Sequence, residues 1–250
     1  MVCHDLSVFD DERFSQVFTQ IIMDVMAGGF DSSATTSSWG VLYLIQKPEV
    51  AQKCRAELLK LIGEEESDCL ADVDVVKKRC PYFMATVYEI LRKSTVGPLG
   101  LLHQTTCDTS LQGYPVSKGT VVISNIHQIN HDPDEWSEPE EFRPERFLIE
   151  IESLDPDNQQ SDSKASKTNL ERPNNQSLTL NQKACNEVAN FSSGLRRCPG
   201  DKIALSMLCI LLGTLIRRYD FEVVKAPEDM VPIKGFLLKP KHYLIKLNKV

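Results

Sequence analysis

Cys198 is the residue through which this chain could do chemistry. It lies in Phe-Ser-Ser-Gly-Leu-Arg-Arg-Cys-Pro-Gly at positions 191–200, a glycine-bounded, doubly basic loop. Residues 201–216 follow at once as an apolar run that reads as a buried helix. A cysteine just ahead of a helix meets unpaired backbone N–H groups and the positive end of the helix dipole. With Arg196 and Arg197 beside it, thiolate is favoured over thiol. A thiolate is a nucleophile or a metal ligand, whereas a free cysteine before an apolar helix, taken alone, is usually inert core.

Three other groupings stand out. The stretch Ala-Gly-Gly-Phe-Asp-Ser-Ser-Ala-Thr-Thr-Ser-Ser at positions 27–38, which contains Gly28, Gly29, Asp31 and Ser32, reads from its residues alone as a flexible joint or a place where helices pack closely. Glu89 and Arg92 are spaced i,i+3 on a mostly apolar helix, a spacing that on an exposed face is only surface decoration. His127 and His131 have the i,i+4 spacing of a zinc-binding helix. Gln128 replaces the glutamate of that motif and Asp132-Pro133 ends any helix, so a structural reading is preferred.

These residues need elements to position them. Residues 10–46 read as one helix of about 36 residues, roughly 54 Å long at the usual rise. Phe14, Val17, Phe18, Ile21, Ile22 and Val25 start its apolar stripe, and Trp39, Leu42, Tyr43 and Ile45 resume it. The hydroxyl-rich middle invites a kink. A second helix fits residues 48–62, with Pro48 in the first turn and Gly63 at the C-cap. An acidic loop leads to a helix over 81–93, and short strands joined by turns follow over 94–123. Residues 150–188 are dominated by Asp, Asn, Gln, Ser and Lys and read as a disordered loop insertion. Past the cysteine helix, residues 221–225, 233–238 and 243–247 read as closing strands.

A chain of 250 residues, 42% hydrophobic, can bury a sizeable core. Net charge −7 argues against nucleic acid as a partner. Eight cysteines with no Cys-x-x-Cys pair look like reduced thiols. The acidic, polar start does not fit a signal peptide, and the run at 203–216 is too short to span a bilayer. Asn175-Gln-Ser and Asn190-Phe-Ser match glycosylation acceptors but are dismissed as cytosolic.

The spacing Phe-x-x-Gly-x-Arg-x-Cys-x-Gly, filled by Phe191, Gly194, Arg196, Cys198 and Gly200, resembles the haem-ligand loop of the cytochromes P450. Three further stretches fall in that family's order: positions 28–32, Glu89-x-x-Arg92, and Phe142-Arg-Pro-Glu-Arg-Phe147. The resemblance implies a mainly α fold with small β-sheets, from the distal oxygen-binding helix to the end of a single P450 domain. It implies that Cys198 is the axial ligand of haem b, that Arg196 and His103 contact propionates, and that the loop glycines let backbone approach the ring. Gly28 and Gly29 would make room for dioxygen, and Asp31 with Ser32 would deliver protons. Serine replaces the family's usual threonine here, keeping the donor but losing the methyl that fixes its rotamer, which implies leakier coupling of electrons to product. Glu89, Arg92 and Arg146 would form a buried structural network, with Arg143 the weaker candidate for its third member. Phe30, Val96, Leu99, Leu101, Phe236 and Leu237 would line a pocket for a small lipophilic substrate, aromatic or steroid-like.

By the same resemblance the chain is a haem-thiolate monooxygenase on the cytosolic face of the endoplasmic reticulum membrane. Electrons would come from NADPH through NADPH-cytochrome P450 reductase, whose acidic surface would meet those of Arg196, Arg197, Lys202, Arg217 and Arg218 that are not bound to propionates. Complete members are roughly twice as long, so the membrane anchor and the Trp-x-x-x-Arg haem contact would lie outside this chain. The alternative expectation is a non-catalytic short form acting as an interaction module that competes for the reductase.

Overall fold

The computed structural model describes residues 11–63, 73–151 and 177–250. Helix α1 (Asp11–Gln46) runs unbroken through the stretch that invites a kink. The hydroxyls of Ser32, Thr36 and Ser37 each donate to the carbonyl four residues back, at 2.8 Å, so they are satisfied within the helix without opening its ladder. Its two halves differ. Trp39, Val41, Leu42, Tyr43 and Leu44 are buried, whereas the earlier stripe of Phe14, Val17, Phe18, Ile21, Ile22 and Val25 is exposed. Gly40 sits where α1 crosses its neighbours. A Cβ there would lie 3.2 Å from Ile90 Cδ1 and from both Leu212 methyls, so a missing side chain sets the helix spacing.

Helix α2 (Pro48–Ile62) starts on its proline and ends at Gly63, whose φ of +78° is strained for any other residue. Helix α3 (Val73–Arg79) corrects the expectation that this whole connection is loop. Seven residues are too few to show a helical period, and only Val76 is buried. Helix α4 (Pro81–Ser94) forms the centre of the core, with Phe83, Met84, Val87, Ile90 and Leu91 buried. Its N-terminus is capped from α2: Glu57 accepts the amides of Tyr82 and Phe83 at 3.1 and 2.8 Å. Burial raises the Glu57 carboxyl above its ordinary value despite those two amides.

Among the described residues the strands form four two-stranded antiparallel sheets. Strand β1 (His103–Gln104) pairs with β4 (Val121–Val122), and β2 (Thr109–Leu111) with β3 (Tyr114–Val116). The short helix α5 (Ile126–Asn130) comes next, and the 3-10 turn Pro144–Phe147 leads into β5 (Leu148–Ile151). Strand β5 pairs with β6 (Ser177–Leu180), and α6 (Gln182–Glu187) buries Ala184 and Cys185 in a small cluster with Ala85, Trp136 and Phe147. The expected disordered insertion over 150–188 is corrected at its far end, where β6 and α6 form because Leu180, Ala184 and Cys185 dock on an existing core; residues 152–176 lie outside the described residues.

Helix α7 (Asp201–Arg218) is buried on one face only, which corrects the fully buried reading. Leu208, Cys209, Leu212 and Ile216 pack into the core while Ile203, Met207 and Ile210 remain exposed. The chain closes with β7 (Tyr219–Lys225) paired to β8 (Leu244–Lys249). The strand expected over 233–238 is instead a turn closed by an isolated bridge between Ile233 and Lys239.

Candidate functional site

The cysteine loop is built from two 3-10 turns, Ala189–Phe191 and Gly194–Arg196. Gly194 adopts φ +74°, the left-handed region that favours glycine. The backbone then folds back so that Cys198 N donates to Phe191 O at 2.9 Å. Cys198 is exposed two residues ahead of the Gly200 N-cap of α7, and a Cβ at Gly200 would lie 3.8 Å from its sulfur. Desolvation by burial pushes Cys54, Cys80 and Cys185 up to about 12 and Cys209 to about 11. Those four stay thiols at neutral pH, so among the described cysteines a thiolate ligand has to come from exposed Cys107 or Cys198. Only Cys198 has the glycine loop and helix start around it.

The basic residues near the loop do not act as one face. Arg196 and Lys202 are exposed, Arg197 is engaged by Asp201 one turn on, and Arg217 is buried. Burial removes Arg217 from any set that meets a partner, which corrects the five-residue expectation.

Behind the loop the structure brings Glu89, Arg92 and Arg146 together. Glu89 and Arg92 have 0% exposure, and Arg92 Nε and Nη2 donate to Glu89 Oε2 and Oε1 at 2.8 and 2.9 Å. Arg146 Nε reaches Glu89 Oε1 at 3.2 Å. Burial lowers the Arg146 guanidinium below its ordinary value, against the pull of Glu89. Arg143 contributes only its backbone N–H, 2.8 Å from Glu89 Oε1, while its guanidinium pairs with Glu138. Arg92 also lies over the Trp136 ring, 5.4 Å from its centroid.

Sequence reading passed over two residues that tie this network to the cysteine loop. Asn130 is fully buried and Asn190 is half-buried, and their side chains are bonded to each other at 2.7 Å. The signal available was an amide within Asn-His-Asp-Pro and another ahead of the cysteine motif, neither of which announces burial. His127 and His131 stack at 4.3 Å and 8°, and burial, with His127 and the cations Lys93 and Arg92 nearby, lowers His131 to about 4. Among the described residues no group of three or more metal-binding side chains is assembled.

The distal candidates lie on the exposed part of α1. Gly28 and Gly29 have nothing within 4 Å of where a Cβ would stand. Asp31 is not turned to Ser32: its Oδ1 holds Lys239 Nζ at 2.9 Å, while Ser32 Oγ donates to Gly28 O. Lys239 follows the turn carrying Phe236 and Leu237. That turn is anchored by Leu238 N to Val96 O and by Trp39 Nε1 to Leu238 O, both 2.9 Å. Of the expected pocket residues, Phe30, Leu99, Leu101 and Phe236 are exposed, Leu237 is half-buried against the core, and Val96 is a core residue at 4% exposure. His103 is exposed on β1. Among the described residues no helix is long and apolar enough to cross a membrane.

An exposed sulfur on a glycine loop, a buried Glu–Arg network and a glycine-containing helix occur together in this chain, and comparison with known proteins matches it. A family model described as cytochrome P450 matches residues 10–247. Cytochrome P450 1A2 of Cavia porcellus is 33% identical over 223 residues, covering 89% of this chain and 38% of that protein. The Homo sapiens protein of the same name is 33% identical over 220 residues, covering 88% and 37%. Cytochrome P450 1A1 of Microgadus tomcod is 34% identical over 222 residues, covering 88% and 38%. The chain thus spans well under half the length of these relatives, yet the match runs through the cysteine loop, the Glu–Arg network and the glycine-containing helix alike, and it belongs to the cytochrome P450 family.

Proposed function

We propose that this chain supplies the thiolate ligand and the proton-delivering helix of a haem monooxygenase acting on a lipophilic substrate. The observation that carries the reading is Cys198, an exposed free thiol held by its own backbone amide in a loop whose glycines leave one side open. The residues fit haem b: a soft sulfur donor for iron, exposed Arg196 and His103 for propionates, and space beside Gly28 and Gly29. When bound, haem supplies the iron at which dioxygen is activated, and a thiolate ligand donates electron density that favours O–O cleavage.

The protein's own residues do the rest. Asp31 holds and moves protons at its carboxylate, exchanging them with the Ser32 hydroxyl after both leave their present partners. Phe30, Leu99, Leu101 and Phe236 offer apolar surface without charge, which suits a substrate held by shape and dispersion. Glu89, Arg92 and Arg146 take no part in the chemistry and keep the loop's base rigid. Electrons come from NADPH through the flavin reductase, docked on exposed Arg197 and Lys202, at the cytosolic face of the endoplasmic reticulum membrane.

The test is turnover of haem-loaded protein with reductase, NADPH and isotopically labelled dioxygen, using a polycyclic aromatic or steroid probe. One labelled oxygen atom is expected in the product and the other in water. Reduction should slow steeply with added salt, more so than in Arg197→Glu. Product without label overturns the monooxygenase reading, and salt-independent reduction overturns the docking face.

A further inference from the structure

We propose that Asn130 is a positioning residue for the Cys198 loop, transmitting the geometry of the buried Glu–Arg network to the sulfur. The proposal rests on Cys198 as the haem ligand, but its structural half can be tested without haem.

The carbonyl and both side-chain polar atoms of Asn130 are committed. Its backbone carbonyl accepts Arg92 Nη1 at 2.8 Å. Its side-chain Nδ2 donates to Thr95 Oγ1 at 2.9 Å and to Asn190 Oδ1 at 2.7 Å, and its Oδ1 accepts the Ala189 amide at 3.0 Å. Backbone groups fix the orientation of both amides, since their roles are not interchangeable. Ala189 N–H can only donate, so Asn130 must present oxygen to it and nitrogen to Asn190. Leu91 O can only accept, so Asn190 must present its Nδ2 there, at 2.8 Å, and its oxygen to Asn130. The two side chains form a directional bridge that fits in one sense only.

Each end of the bridge leads somewhere definite. On one side, Thr95 closes α4 in the left-handed conformation, with φ 35°, and its hydroxyl returns to Arg92 O at 2.6 Å. On the other, Ala189 and Asn190 open the 3-10 turn ending at Phe191, whose carbonyl accepts the Cys198 amide. Asn130 thus joins the last turn of α4 to the first turn of the cysteine loop, and a single hydrogen bond separates that turn from the ligand residue. No other described side chain connects Arg92 and its helix cap to residues 189 and 190 in this way. A fully buried amide with complete satisfaction is costly to disturb, and its loss is felt where the bonds ended.

The test uses two variants, because Asn130→Ala could fail to fold. Asn190→Ala removes the bridge from the half-buried side and leaves Asn130 bonded to Thr95 and Ala189. Residue-resolved amide hydrogen exchange in the 250-residue chain is expected to quicken at Ala189 and Cys198 by about tenfold or more, the equivalent of one buried hydrogen bond. Amides in the middle of α4, Val87 and Ile90, should keep their wild-type rates. Haem-loaded Asn190→Ala and, where it folds, Asn130→Ala should lose part of the thiolate-type carbon monoxide spectrum in the same order as their exchange rates. Unchanged exchange at Cys198, or equal acceleration in α4, overturns the positioning role. If exchange behaves as expected but Cys198→Ser retains the thiolate-type spectrum, the ligand reading fails and the bridge alone stands.

Discussion

Arg92→Met should be among the most destabilising single changes in the described chain. The substitution keeps most of the side-chain volume but deletes the guanidinium, which donates to Glu89 Oε2 and Oε1, Asn130 O, Pro139 O and Glu141 O at 2.8, 2.9, 2.8, 2.9 and 3.2 Å. Glu89 would retain Arg146 and the Arg143 amide, so its charge is only partly uncompensated. Glu141 O would keep Arg146 Nη2 at 3.3 Å and Pro139 O would keep Lys93 Nζ at 3.5 Å, leaving the Asn130 carbonyl to bear most of the loss. Breaking one member of a buried pair typically costs about 3–5 kcal/mol, and the surviving partners place this case near 4. Against a typical domain stability of about 5–15 kcal/mol, that is a large fraction. Urea unfolding followed by the fluorescence of Trp39 and Trp136, one in each core cluster, would measure it. Glu89→Leu combined with Arg92→Met should cost less than the sum of the singles by about 1–3 kcal/mol, since no lone carboxylate is left behind. A loss below about 1 kcal/mol for Arg92→Met, or strict additivity in the double variant, would refute the claim that the charges are held as one buried unit.

Gly40→Val should destabilise by about 1–3 kcal/mol, because even a Cβ would stand 3.2 Å from Ile90 and Leu212 where α1 crosses α4 and α7 and the two added methyls have no room, whereas in Gly40→Ala the helix-propensity gain of about 1 kcal/mol offsets the contact; thermal unfolding checks it. His131 is held neutral by burial, its folded value about 4 against 6.5 unfolded, so the unfolded chain takes up the proton first on acidification. Stability should be unaffected by this residue above pH 6.5 and fall between there and pH 4, on the order of 2 kcal/mol after allowing for the ring's partial exposure, and His131→Gln should flatten that fall in pH-dependent urea titrations. Lys239→Met frees Asp31 from an ion pair that is half in solvent, so unfolding stability should change by less than about 1 kcal/mol. The ratio of product to hydrogen peroxide in the haem-loaded enzyme should nonetheless shift, and should not shift when Asp31→Asn is already present.

Helices whose limits are set by proline and glycine were legible in the sequence. α2 and α4 start at Pro48 and Pro81, and α2 is closed by Gly63. Short elements were not: α3 and α6 have seven and six residues, and their existence depends on Val76, Ala184 and Cys185 finding a core made elsewhere. The apolar run of α7 gave its position but not its exposed face, since composition reports how much apolar surface exists and not what covers it. At the candidate site, residue types and spacing pointed to Cys198, while Asp31 and the Glu89–Arg92 pair stood out only through the family resemblance. The partners that hold these residues could not be read locally. Lys239 lies 208 positions from Asp31, and Asn130 lies 60 from Asn190, separations that only the folded chain closes.

The most direct test of the account is the carbon monoxide difference spectrum of the reduced, haem-loaded protein, compared among wild type, Cys198→Ser and Cys107→Ser. The account predicts a thiolate-type band in wild type and Cys107→Ser and its loss in Cys198→Ser. A thiolate-type band that survives in Cys198→Ser would contradict it.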